Sequence, residues 1–189
     1  MNISGTCDLA PIDEQEAMLK ELLPDAKTVG ILYCSAEPNS AYQAKKFEEA
    51  LEKDGIKYKE YTAADSNEIQ SVVTSAVDEC DALYIPTDNT AAANTEIINN
   101  ICQPAKVPVI AGEEGICSGC GVATLSISYY DIGYRAGEMA YEILVNGADP
   151  ATMPIEYVSE NITPKYNAEI AAELGITMPE DMVAIGAEE

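Results

Sequence analysis

The 189-residue chain has no histidine, no tryptophan and one phenylalanine, and sets only 10 lysines and arginines against 33 aspartates and glutamates. Each shortage excludes something. Without histidine there is no side chain whose ordinary pKa suits general-base work at neutral pH. No Ser-Lys or Cys-His pairing stands in for it, so catalysis fits poorly. A formal charge of −23 repels nucleic acid and anionic lipid, and neither is expected as a partner. The charges are spread along the chain rather than blocked, which describes a solvated surface. No run of about 18 apolar residues is present, so no membrane span is expected. The opening "MNISGTCDLAPIDEQ" has neither a basic n-region nor an apolar h-region, so no secretory signal is read there. "NISGT" reads instead as a strand end already inside a fold, as in a fragment.

A hydrophobic fraction of 47% is enough to bury a core. Apolar periodicity then predicts helix at 11–23, 41–55, 66–80, 92–105, 130–147 and 165–175. A continuous apolar run at 28–34 ("TVGILYC") predicts a strand covered on both faces, 82–87 predicts another buried strand, and 107–112 and 122–128 predict two more strands. The alternating 57–63 ("KYKEYTA") predicts a more exposed one, and 153–158 ("MPIEYV") a late edge strand. Strands alternating with helices of this length imply right-handed parallel crossovers. The expected fold class is therefore α/β, an open, doubly wound and mainly parallel sheet. Neither GxxxxGK[ST] nor GxGxxG follows the first buried strand, so no nucleotide phosphate is expected. A receiver-like reading needs an acidic pair there, and "YCSAEPNS" offers one acid.

Six cysteines stand at 7, 34, 80, 102, 117 and 120. Four are isolated and read as small hydrophobes. Cys117-Ser-Gly-Cys120 is a CxxC, but zinc would need a second pair or histidines. Glycines flank it, so it is expected in a loop, with loop chemistry or an incidental disulfide. No metal and no cofactor are expected.

In doubly wound sheets ligands sit beyond the carboxyl ends of the strands. Those ends carry Ser35, Glu37, Asn39 and Ser40, then Thr87, Asp88 and Asn89, then Glu113 and Glu114, then Ser128 and Tyr129. Any one of these would suit a turn or a helix cap. Hydroxyls, amides and carboxylates gathered on one edge also suit a zwitterion, since leaving either of its charges unpaired is costly. Tyr33, Tyr42, Tyr84, Tyr129 and Tyr130 lie near the same ends, where an aromatic face with a polar tip would line a pocket.

The segments "NISGTCDLAPIDEQEAMLKELLPDAKTVGILYCSAEPNS", "LYIPTDNT", "VPVIAGEEG", "SISYYDIGYRAGEMAYEIL" and "MPIEY…ITPKYNAEIAAELGITMPEDM" together resemble the substrate-binding proteins of ABC transporters in the tryptophan/tyrosine-uptake class. The resemblance runs over essentially the whole chain in order. It implies one lobe of a type I periplasmic-binding fold, lacking most of a first lobe. It divides the chain into a crossover strand end and helix (1–27), a substrate-binding lobe (28–122), a returning strand and helix that belong to the first lobe in the family (123–147), and a C-terminal strand and helix closing the lobe (148–189). It implies an amino-acid ligand, an ABC permease as partner of the full-length protein, and an extracytoplasmic location.

On that reading Asp88 is expected to meet the ligand ammonium, with Glu114 next. Asn39, Ser40 and Asn89 would hydrogen-bond the backbone end of the ligand, with Ser35 beside them. Thr87 would cap the following helix and Glu113 would serve a turn. The mechanism is binding without chemistry, as lobes close and desolvate the ligand. Two other readings stand beside it. One is a stand-alone lobe that homodimerises through exposed apolar surface as an interaction or regulatory module. The other is a flavodoxin-like enzyme using Cys117 or Asp88.

Overall fold

The computed structural model describes residues 2–157 and 162–187. In chain order the elements are β1 (Gly5–Cys7), α1 (Ile12–Leu22), β2 (Thr28–Cys34), α2 (Pro38–Asp54), β3 (Lys57–Ala63), α3 (Ile69–Val77), β4 (Ala82–Ile85), α4 (Asn89–Ala92) and α5 (Thr95–Ala105). Then follow β5 (Val109–Ala111), α6 (Glu114–Cys120), β6 (Ala123–Ser126), α7 (Tyr129–Leu144), β7 (Ile155–Tyr157), β8 (Thr163–Tyr166), α8 (Ala168–Leu174) and β9 (Val183–Ala184). They form two compact units. One comprises Met1–Ala10 and Ile127–Ile162, the other Pro11–Ser126 and Thr163–Glu189.

The larger unit holds a sheet of order β3-β2-β4-β5-β6-β8-β9. The strands from β3 to β6 run parallel, β8 lies antiparallel to β6, and β9 parallels β8. Val29, Ile31 and Leu32 are wholly buried because both faces of β2 are covered. Each such side chain is worth about 1.5–3 kcal/mol of burial. Strand alternation sorts the core into two layers. Leu83, Ile85 and Ala111 face α3, α5 and α6 through Val73, Ile98, Cys102 and Ile116. Tyr84 points the other way and stacks on Phe47 of α2, ring centroids 3.6 Å apart. The mainly parallel α/β sheet expected from the sequence is the one observed.

Three features differ from expectation. "GICSGCG" is helix α6 rather than loop. The glycine at 119 is needed there, since a Cβ would fall 2.4 Å from Thr95 Cβ. Glu113 starts the helix by accepting from Gly115 N and Ile116 N. Cys117 and Cys120 are accordingly buried free thiols, and burial raises the pKa of both. Second, the strand expected to return with α7 pairs with β5 and β8 in the large sheet. Third, β8 and β9 extend that sheet where no strand was expected.

The smaller unit pairs β1 with β7 in parallel and packs α7 beside β1. Arg135 holds Glu156 of β7 through Nε at 2.6 Å and Nη2 at 2.7 Å. The expected edge strand ends on Val158, which lies outside the described residues. Tyr130, Tyr134, Tyr141 and Leu144 on α7 and Ile155 and Tyr157 on β7 are exposed. Among the described residues no helix is long and apolar enough to cross a membrane.

Candidate ligand-binding rim

The sheet order turns at β2, which lies between β3 and β4. In parallel sheets the crevice beyond the strand ends at such a point is the usual ligand position. Here that edge is formed by the loops after β2, β4 and β5, and hydrogen bonds lock them together.

Asp88 begins the lock. Its Oδ2 accepts from Cys34 N at 2.7 Å and its Oδ1 from Ala91 N at 2.8 Å. The second bond is the N-cap of α4, and the first ties that cap to the end of β2. The Thr87 carbonyl accepts from Ser40 Oγ at 2.9 Å and Asn39 Nδ2 at 3.0 Å. Glu37 closes the lock from the other side. Its Oε2 accepts from Asn89 N and Nδ2, both at 2.9 Å, and its Oε1 from Thr90 N and Oγ1, both at 2.8 Å. Burial pushes the Glu37 pKa up, but these four bonds outweigh it and hold the carboxyl below its ordinary value.

The loop after β5 joins through Gly112. Its N donates to Ile85 O at 2.7 Å. A Cβ there would stand 2.7 Å from both Pro86 C and Thr87 N, so only glycine lets the loops approach this closely. Beyond it Glu113 caps α6, and Glu114 Oε2 accepts from Lys165 Nζ of β8 at 2.8 Å. That ion pair is only about two-thirds covered, with side-chain exposures of 35% for Lys165 and 42% for Glu114.

The structure thus gathers Asn39, Ser40, Thr87, Asp88 and Asn89 into one bonded cluster. It places Ser35 at the end of β2, where Ser35 N donates to Ala63 O at 2.9 Å. Glu113 and Glu114 follow the second strand over, on the same sheet edge. Four assigned roles change. Asp88 is 1% exposed with both oxygens engaged, so it positions loops rather than meeting an ammonium. The cap of α4 is Asp88, not Thr87, whose carbonyl serves instead as an acceptor. Glu113 is a helix cap rather than a turn residue. Ser40 is wholly buried and also supports the loop. Of the tyrosines expected to line a pocket, Tyr84 is fully buried, and Tyr33 is nearly so with its hydroxyl donating to Glu60 at 2.9 Å.

Sequence reasoning missed the work of Glu37, Lys165 and Gln15. Glu37 stood among the strand-end acids, but its partners are 52 and 53 residues away, and nothing local marks them. Gln15 carried a legible signal. Ile12, Gln15, Leu19 and Leu22 share one helical face, so an amide sits where an apolar residue is due. Among the described residues no group of three or more Cys, Asp and Glu side chains could hold a metal ion. A cavity of about 520 Å³ opens in the larger unit at the amino ends of the strands, lined by Leu22, Pro24, Pro108, Leu174 and Ile176.

Comparison with known proteins identifies the family. The family model described as ABC transporter substrate binding protein matches residues 1–189. A tyrosine-binding protein of Clostridioides difficile (strain R20291) is 34% identical over 159 residues, covering 84% of this chain and 46% of that one. A solved Streptococcus pneumonia protein described as an ABC domain in complex with L-Trp is 33% identical with a TM-score of 0.87, over 97% of this chain and 64% of its own. A ligand-free, open Clostridium difficile substrate binding protein with adhesive properties is 35% identical with a TM-score of 0.79, over 98% and 63%. The chain therefore spans about half the length of the curated relative and under two-thirds of the solved ones. It belongs to the family of ABC transporter substrate binding proteins.

Proposed function

We propose that the rim of the larger unit is one half of a binding site for an amino acid, aromatic in preference, and that it works by binding without chemistry. The observation that carries this is the rim itself: polar loops after β2, β4 and β5, locked to one another at the turn in strand order. Relatives solved with L-Trp or described as tyrosine-binding supply the ligand class.

The exposed groups divide by chemistry. Ser35, Asn39 and Asn89 are open to solvent and offer hydroxyl and amide contacts. The Glu114–Lys165 pair presents one charge of each sign. A zwitterion needs both, its ammonium toward the carboxylate and its carboxylate toward the lysine. Asp88, Ser40, Thr87 and Glu113 hold these groups in place. As a member of its family, the protein in its whole form would hand the ligand to an ABC permease outside the cytoplasm.

Contacts from this rim alone are expected to give weak affinity. Calorimetric titration with L-tryptophan and L-tyrosine, with L-glutamate as comparator, tests this. Weak binding that favours the aromatic ligands supports the reading. No difference between tryptophan and glutamate removes it. The exposed aromatic face of the smaller unit favours one additional reading, self-association of this chain. Sedimentation at two concentrations decides it, and a monomer at both ends it.

A further inference from the structure

The chain passes between the two units after Ala10, after Ser126 and after Ile162. Within the larger unit one buried residue, Gln15, is bonded through its backbone at the first passage and through its side chain beside the second, and lies one strand pairing from the third. Gln15 N donates to Pro11 O at 2.9 Å, at the first passage. Gln15 Nε2 donates to Leu125 O at 2.9 Å, one residue before the second passage. Leu125 lies opposite Pro164 and Ser126 opposite Thr163 in the β6–β8 pairing, which brings in the third. The same Nε2 also donates to Gly112 O at 3.1 Å, and Gly112 is packed against the backbone of Pro86 and Thr87. Gln15 Oε1 accepts from Tyr84 OH at 2.8 Å, and the Tyr84 ring is clamped on Phe47.

We infer that Gln15 is a positioning residue that couples the rim loops to the segments where the chain leaves and re-enters the unit. Both hydrogens of its amide and its oxygen are engaged and it is fully buried, so its orientation is fixed. A shift of the loop at Gly112 cannot occur without moving the amide, and the amide cannot move without releasing Leu125. A displacement at one end is therefore felt at the other. Gln15 itself never reaches the ligand. The role in ligand affinity rests on the rim being the binding site. The coupling to the passages does not.

The test uses the whole chain with Gln15→Glu and Tyr84→Phe, read by amide hydrogen exchange. An ionised glutamate cannot donate to two carbonyls, whereas Tyr84→Phe keeps the stacked ring and removes one bond. Gln15→Glu is expected to lower protection at least ~10-fold at 112–113, 123–127 and 163–166, with α3 and α5 unchanged. Lowering the pH should restore part of that protection relative to wild type, as the carboxyl regains a donor. Tyr84→Phe should show a smaller loss in the same segments, and it decides the matter if Gln15→Glu does not fold. Equal loss in α3 and in the passage segments, or none in the latter, overturns the inference. Affinity for L-tryptophan should fall in parallel with the lost protection. If wild type binds no L-tryptophan, the rim reading fails while the exchange result still judges the coupling.

Discussion

Replacing Asp88 with asparagine separates the loop lock from an ordinary helix cap. As N-caps the two residues are equivalent, so Asp88→Asn would be neutral if capping α4 were the whole role. The structure assigns a second duty, because Asp88 Oδ2 accepts from Cys34 N at 2.7 Å. An asparagine that caps Ala91 with its oxygen turns its NH2 group on Cys34 N–H, donor against donor. Cys34 is 2% exposed, so water does not relieve the mismatch. One buried N–H without an acceptor costs about 1–3 kcal/mol, and losing a charged acceptor puts the figure in the upper half of that range. Asp88→Ala loses the cap as well, roughly another 1 kcal/mol. Urea denaturation followed by tyrosine fluorescence and far-UV circular dichroism reads both variants. The order expected is wild type, then Asn lower by about 2 kcal/mol, then Ala lower still. An asparagine variant within ~0.5 kcal/mol of wild type would show that the Cys34 bond carries no weight.

Three further outcomes follow from the same structure. Gly112→Ala places a methyl 2.7 Å from the Pro86 and Thr87 backbone, and should cost about 1–3 kcal/mol and weaken any amino-acid binding, both seen in parallel melts and titrations. Glu48 lies against Glu60, and burial first, then that neighbour, raises its pKa to about 7 from 4.5. The native state then holds a proton the unfolded chain has lost, so stability falls as pH rises from about 4.5 to about 7, and Glu48→Gln should flatten that slope in urea midpoints measured against pH. A thiol reagent should label Cys7 alone before unfolding, because the other five cysteines are buried. Rapid native labelling at Cys117 or Cys120 would contradict the burial of α6 against the sheet.

What the sequence made legible depended on how local the cause was. β2 was readable from end to end because a strand covered on both faces must be apolar throughout, and 28–34 is. β8 was not, because "TPKY" has no apolar alternation and its strand character comes from pairing with β6. α6 was hidden by its own composition. Two glycines and two cysteines imitate a loop, and the reason for Gly119 is Thr95 on another helix. The rim fared the same way. That polar residues cluster on one sheet edge follows from strand order and could be foreseen. Which of them turn inward could not. Asp88 and Asn89 are neighbours of similar shape, yet one is buried between two backbone N–H groups and the other is exposed on the Glu37 carboxylate.

The central claim is about place as much as ligand. The direct measurement is an amide chemical-shift titration of the isotope-labelled chain with L-tryptophan. Fast-exchange shifts confined to 35–40, 87–90 and 112–115, with movement at Lys165, are the expected result. Shifts gathered instead around Leu22, Pro108 and Ile176 at the far edge of the sheet, or no shifts at millimolar ligand, would contradict it.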